Sequence, residues 1–290
     1  MTRAPVSAAP VTGAPVAGAT MTSVEVGTSQ GPARVGLMLP TGSGGPAFLL
    51  ALTHGAGGTV DAPDLAAARD AAVRLGGAVA MITQPYRLRG ARAPGSATRQ
   101  DEAWREIIAF LRGGPWSRPP GVPPAAGVPP ASGVPLIVGG RSNGARVACR
   151  TAAAVGASGV IALAFPLRPP GHRATAGRPG TRSVGTRSVG TGSTGTGSTR
   201  TGSAGTGRTG TGSARTSHPS TRDAELRATA DGGTSVLVVN GDRDPFGIPD
   251  PGDAIRVVVL KGESHSLSRN PAAVAIAVAD WLSDVVPLVR

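Results

Sequence analysis

Sulfur, aromatic rings and lysine are all scarce in this chain. A single cysteine, Cys149, excludes an internal disulfide and gives no sign of an oxidising compartment. Aromatic residues make up 3% of the 290 positions against 40% hydrophobic, so any core must be mostly aliphatic. No apolar run approaches the roughly 18–20 residues that cross a bilayer, and MTRAPVSAAPVTGAPVAG lacks the apolar stretch of a secretion signal. The expectation is a cytoplasmic protein with no membrane contact. Cys and His nowhere show metal-ligand spacing, and no GxGxxG follows a strand pattern. No metal and no nucleotide or other cofactor is therefore expected.

The formal net charge of +12 invites a nucleic-acid partner, but its distribution argues against one. Nine Arg and no acid stand between Arg168 and Arg222, which is +9 of the +12 and leaves +3 elsewhere. Nearly all the charge is arginine, Lys261 being the only lysine. The basic excess thus belongs to one tract rather than to a folded face.

Gly 44 and Pro 27 concentrate in low-complexity segments. Residues 1–22 repeat an Ala-Pro-Val theme and read as a disordered tail, with Met21 as an alternative start. Residues 113–134 contain GVPPAA-GVPPAS-GVP, a Pro-rich loop, and residues 169–221 carry a Gly/Thr/Ser/Arg array. Such compositions bury too little apolar surface to offset their ordering entropy. The remainder of 23–290 reads as one domain with these insertions.

That remainder alternates strands and helices. Val24–Val26 and Arg34–Leu39 resemble an edge hairpin. Apolar runs follow at Ala47–Thr53, Ala78–Thr83, Leu136–Val138, Val160–Phe165, Ser235–Val239 and Ile255–Leu260, as in a sheet covered on both faces. Between them lie helical patterns: Pro63–Leu75 after Asp61, Arg99–Arg112, Ala145–Val155, and Asn270–Val286 with an Asn cap and Pro271 in the first turn. The fold class implied is α/β, a mostly parallel sheet flanked by helices.

The chemistry begins at Gly140-Arg-Ser-Asn-Gly144, which follows one apolar run and opens a helix. G-x-S-x-G between strand and helix is a nucleophile elbow, lifting the Ser142 hydroxyl above the sheet at a helix N-terminus. A serine needs a base, and the base needs an orienting carboxylate. His265 follows the last strand, whereas His172 and His218 fall in the array. After the preceding strand, NGDRDPF offers Asp242 and Asp244. Asp244 stands before Pro, and Asp242 reads as a turn residue. The order Ser142, Asp244, His265 is that of the α/β-hydrolases. Leu52-Thr-His-Gly-Ala-Gly-Gly58 supplies a loop for oxyanion donors, with Ala56 or Gly57 joining the N–H of Asn143. His54 is expected to order that loop. Tyr86, Arg87 and Phe165, at neighbouring strand ends, are candidate pocket-lining residues, and Cys149 on the elbow helix is expected to be buried.

LTHGAGG, GGRSNGARVACRTA, ALAFPL, LVVNGDRDPFG and ESHSL together resemble the bacterial, dienelactone-hydrolase-like branch of the KANSL/Tex-type α/β-hydrolase-like family. Its animal relatives include a testis-expressed protein and a subunit of a histone acetyltransferase complex. The resemblance implies the α/β-hydrolase fold, with Ser142, Asp244 and His265 at the triad positions. It also implies that the 169–221 array stands where such hydrolases carry a cap. Two functions are in view. One is a serine hydrolase acting on a small-molecule acyl ester or thioester. The other is a non-catalytic protein-interaction module that keeps the fold.

Overall fold

Five apolar segments form the middle of the sheet, because each is buried on both faces. β3 (Leu49–Thr53) and β6 (Gly159–Leu163) are buried at every position. β4 (Ala78–Thr83), β5 (Leu136–Arg141) and β7 (Ser235–Gly241) are buried at all but one. In the computed structural model they belong to an eight-stranded sheet, ordered β1-β2-β4-β3-β5-β6-β7-β8. The structure describes residues 19–40, 45–113, 133–169 and 221–286, all within one compact unit.

β1 (Ala19–Thr28) and β2 (Gly31–Pro40) form the antiparallel hairpin expected at the edge. β2 then pairs antiparallel with β4, and every later pairing is parallel out to β8 (Ile255–Leu260). β1 begins at Ala19, so the strand reaches into the segment expected to be a tail. The rest of residues 1–22 lies outside the described residues, as do most of the Pro-rich loop and the Arg-rich array. β3 starts two residues later than its apolar run, and β6 stops at Leu163, where Ala164 turns with φ 48°.

Two apolar layers cover the sheet. On one face α1 (Pro63–Arg74) lies beside α6 (Pro271–Val285), with Leu65, Ala68, Val274, Val278 and Trp281 against the strands. A single helical turn, α2 (Pro85–Leu88), follows β4 and touches β2. On the other face lie α3 (Ala97–Gly113), α4 (Asn143–Val155) and α5 (Thr221–Asp231). They contribute Trp104, Ile107, Ile108, Val147, Ala148 and Leu226. Cys149 is buried in this layer, and that burial pushes its thiol up to about 12. α6 begins as its sequence predicts, with the Asn270 side chain accepting from Ala273 N–H and Pro271 in the first turn. α1 does not. Its cap position is Ala62, without a side-chain bond, and Pro63 alone marks the start. α5 was not visible in the sequence, because its Arg, Asp and Glu leave little apolar periodicity next to the array.

β3 has β4 on one side and β5 on the other, so the chain leaves its carboxyl end in both directions. That switch point opens a crevice above β3 and β5, where open parallel sheets place their ligands.

Candidate active site

The crevice is occupied by the elbow. β5 ends at Arg141, Ser142 follows, and α4 starts at Asn143. Ser142 adopts φ 53° and ψ −109°, an unfavourable conformation for a residue with a side chain. It is held by its own N–H donating to the Leu163 carbonyl at 2.8 Å. The second glycine makes the turn feasible: a Cβ on Gly144 would stand 2.7 Å from the carbonyl oxygens of both Thr53 and His54. Only a bare Cα lets α4 approach the end of β3 so closely.

Ser142 Oγ lies 2.9 Å from Nε2 of His265, and Nδ1 of His265 lies 2.8 Å from Oδ2 of Asp244. These three residues are thus brought into one line from the ends of β5, β7 and β8. The Asp244 side chain is fully buried, while that of His265 keeps 22% exposure. Asp244 also accepts through Oδ1 from Phe246 N–H at 2.9 Å, which fixes its carboxylate plane. Asp242 is different. It is exposed, and its Oδ1 accepts from Gly262 N–H at 2.8 Å, tying the two loops together. The loops also touch at Gly241, where a Cβ would fall 2.3 Å from the Glu263 carbonyl oxygen.

The HGAGG loop lies against the elbow, a Cβ on Gly55 coming within 3.5 Å of Ser142 Cβ. Its histidine is not free for chemistry. Gln84 N–H donates to His54 Nε2 at 3.1 Å, so that nitrogen is unprotonated and Nδ1–H donates to Gly55 O at 2.8 Å. The ring is fully buried, and burial lowers its pKa, keeping it neutral. Tyr86 stacks edge-on against it, its hydroxyl donating to Ala56 O at 3.0 Å, and burial raises that phenol to about 12. His54 and Tyr86 therefore shape the loop bearing Ala56 and Gly57 from beneath. Gly57 is exposed and Ala56 half-buried. Asn143, first residue of α4, has no carbonyl one turn back to receive its N–H, and its side chain donates to Gln100 Oε1 at 2.6 Å.

Two further candidate lining residues are engaged by contacts of their own. Phe165 is fully buried in the core, because Ala164 turns the chain inward after β6, so it forms no exposed wall. Arg87, on α2, is half-buried and donates to Ala91 O at 3.2 Å.

Four further residues were missed. Phe246 packs edge-on against His265, ring centres 4.5 Å apart. Asn240 is a buried amide that closes the apolar strand β7. It accepts from Phe165 N–H at 2.9 Å and donates to Phe165 O and Gly247 O at 3.1 Å, locking the Asp244 loop to the end of β6. The buried carboxylate of Asp64 pairs with half-buried Arg141, Nε to Oδ2 3.1 Å, beside the His265 loop. Burial outweighs the attraction of Arg141 and raises Asp64 to about 6. A polar residue ending an all-apolar strand was the available signal for Asn240; Asp64 carried none beyond its place in the first helical turn.

Among the described residues, no helix is long and apolar enough to cross a membrane, and no group of three or more His, Cys, Asp or Glu could hold a metal. Residues 46–179 match the family described as Alpha/beta hydrolase domain. The structure is similar to that of an α/β serine hydrolase without lid from Xanthomonas campestris, at 17% identity and TM-score 0.54, over 94% of this chain and 97% of that one. A dienelactone hydrolase from Anabaena variabilis aligns at 13% identity and TM-score 0.55, over 92% and 99%. The esterase domain of a Rhodothermus marinus protein aligns at 16% and 0.52, over 92% and 99%. No curated protein sequence matches the chain. Strand order, elbow and structural likeness agree that this chain has the α/β-hydrolase fold.

Proposed function

We propose that the protein is a serine hydrolase that cleaves a carboxylic ester or thioester through an acyl-enzyme. The observation that carries this reading is the unbroken line from Ser142 Oγ to His265 Nε2 at 2.9 Å and from His265 Nδ1 to Asp244 Oδ2 at 2.8 Å. Ser142 Oγ attacks the acyl carbon as its proton passes to His265 Nε2, and buried Asp244 stabilises the imidazolium. The oxyanion receives the N–H of Asn143, near the positive end of α4, and an N–H of Ala56 or Gly57. Collapse expels the alcohol or thiol, which takes the proton from His265. Water, deprotonated by the same nitrogen, then releases the acid and restores Ser142.

The structural neighbours that are serine hydrolases and esterases support the reaction class, as does the resemblance of the site motifs to the KANSL/Tex-type family. A fluorophosphonate probe tests it. The wild type should be labelled at Ser142, and Ser142→Ala, folded to the same thermal midpoint, should not. Labelling that persists in Ser142→Ala, or a folded wild type that never reacts, would remove the assignment.

A further inference from the structure

Arg141 and Asp64 take no part in the reaction above, yet they sit where its parts meet. Arg141 directly precedes Ser142, and its guanidinium reaches three other segments. Nε lies 3.1 Å from Asp64 Oδ2 on α1, and Nη2 donates to the His265 carbonyl at 3.0 Å. Nη1 lies 3.9 Å from where a Cβ on Gly58 would stand in the HGAGG loop. The Asp64 carboxylate has no solvent exposure, and its Oδ1 accepts from Leu65 N–H at 3.0 Å.

A buried ion pair is weak evidence for stability, since an apolar pair of similar volume folds as well or better. Geometry supplies another reason for it. Between β8 and α6 the base loop has no regular structure, and Leu267 turns there with φ 47°. Its other anchors stay within the loop or run to the loop after β7: Glu263 accepts from Asn270 N–H, Gly262 N–H donates to Asp242 Oδ1, and Arg243 N–H donates to Glu263 O. The Arg141 bond instead joins the backbone of the base to the residue beside the nucleophile.

We infer that Asp64 and Arg141 are a positioning pair: Asp64 fixes the guanidinium, and the guanidinium holds the His265 carbonyl so that the imidazole faces Ser142. The effect on turnover rests on the hydrolase reading; the effect on the imidazole does not. A misplacement of 1 Å between reacting groups can cost about 10²-fold in rate.

Arg141→Gln alone would leave the Asp64 charge buried without its cation, so the decisive variant is Asp64→Asn/Arg141→Gln, with Asp64→Asn beside it. The readouts are kcat and KM on p-nitrophenyl acetate, the thermal midpoint, and the far-downfield proton NMR signal of His265 Nδ1–H. In the double variant kcat should fall about 10²-fold with KM unchanged, and the downfield signal should broaden or vanish while the midpoint holds. Asp64→Asn should move both in the same direction by less. A folded double variant with wild-type kcat and signal overturns the proposal. So does loss of fold in both variants, which would make the pair a stability element. If the wild type turns over no ester, the hydrolase reading fails, and the NMR comparison still decides the positioning role.

Discussion

Replacing Asp244 by asparagine exchanges one oxygen for an amide nitrogen and removes one charge. Phe246 N–H requires an acceptor at Oδ1, so the amide oxygen stays there and the nitrogen faces His265. Two donors then oppose each other at 2.8 Å, where Nδ1–H now meets Oδ2. Asn240 Nδ2, 3.4 Å from the same oxygen, adds a third donor there. The imidazole relieves the conflict by moving its proton to Nε2, which can no longer accept from Ser142. The equivalent change in serine proteases costs about 10⁴ in kcat through the wrong tautomer, close to 5.4 kcal/mol of barrier. Asp242→Asn is the matched control. It is exposed, and an amide oxygen still accepts from Gly262 N–H, so its effect should stay within about 0.5 kcal/mol. Hydrolysis of a p-nitrophenyl ester, followed with the thermal midpoints of both variants, compares them. Equal losses, or a larger loss at Asp242, would refute the orienting role of Asp244.

Gly144→Ala should destabilise the fold by about 1–3 kcal/mol through overpacking, seen as a drop of several degrees in thermal midpoint, because the added methyl meets two backbone carbonyls at 2.7 Å. An unchanged midpoint would mean that α4 and β3 separate freely. Asp64 should make stability depend on pH in the direction opposite to an ordinary surface carboxylate. Its folded pKa of about 6 lies above the unfolded value near 3.9, so its contribution is complete below about pH 4 and is lost as pH rises through 6. Between pH 4 and 7 the wild type should therefore lose on the order of 3 kcal/mol relative to Asp64→Asn, measured by denaturant melts at each pH. A constant gap would show that Asp64 stays ionised throughout.

Much of the sheet was legible because central parallel strands leave a simple trace. LLAL, AVAMI and VLVV, the cores of β3, β4 and β7, are apolar throughout, and nothing but a two-sided layer accommodates them. Boundaries were less so. Val160–Phe165 is apolar to its end, yet the strand stops at Leu163, since Ala164 turns and Phe165 is buried by the core rather than by the ladder. α1 shows the same limit at a helix start, where Asp61 looked like a cap and the chain used Pro63 instead.

The line of Ser142, Asp244 and His265 was readable for a related reason. Each residue follows an apolar run, and parallel strands bring all their carboxyl ends to one edge, so order in the chain translates into proximity. What holds that line in register has no such rule. Asn240 and Arg141 work through bonds to backbone atoms distant in sequence, Phe165 O and His265 O, and Asp64 works through Arg141; a carbonyl partner leaves no mark in the residue type. Their trace is an anomaly instead: an amide near the end of an apolar strand, an arginine beside Ser142. A buried polar group must be satisfied or it costs stability. Such residues, met at the end of an otherwise apolar strand, are therefore the places to look for the scaffold beneath a reactive line.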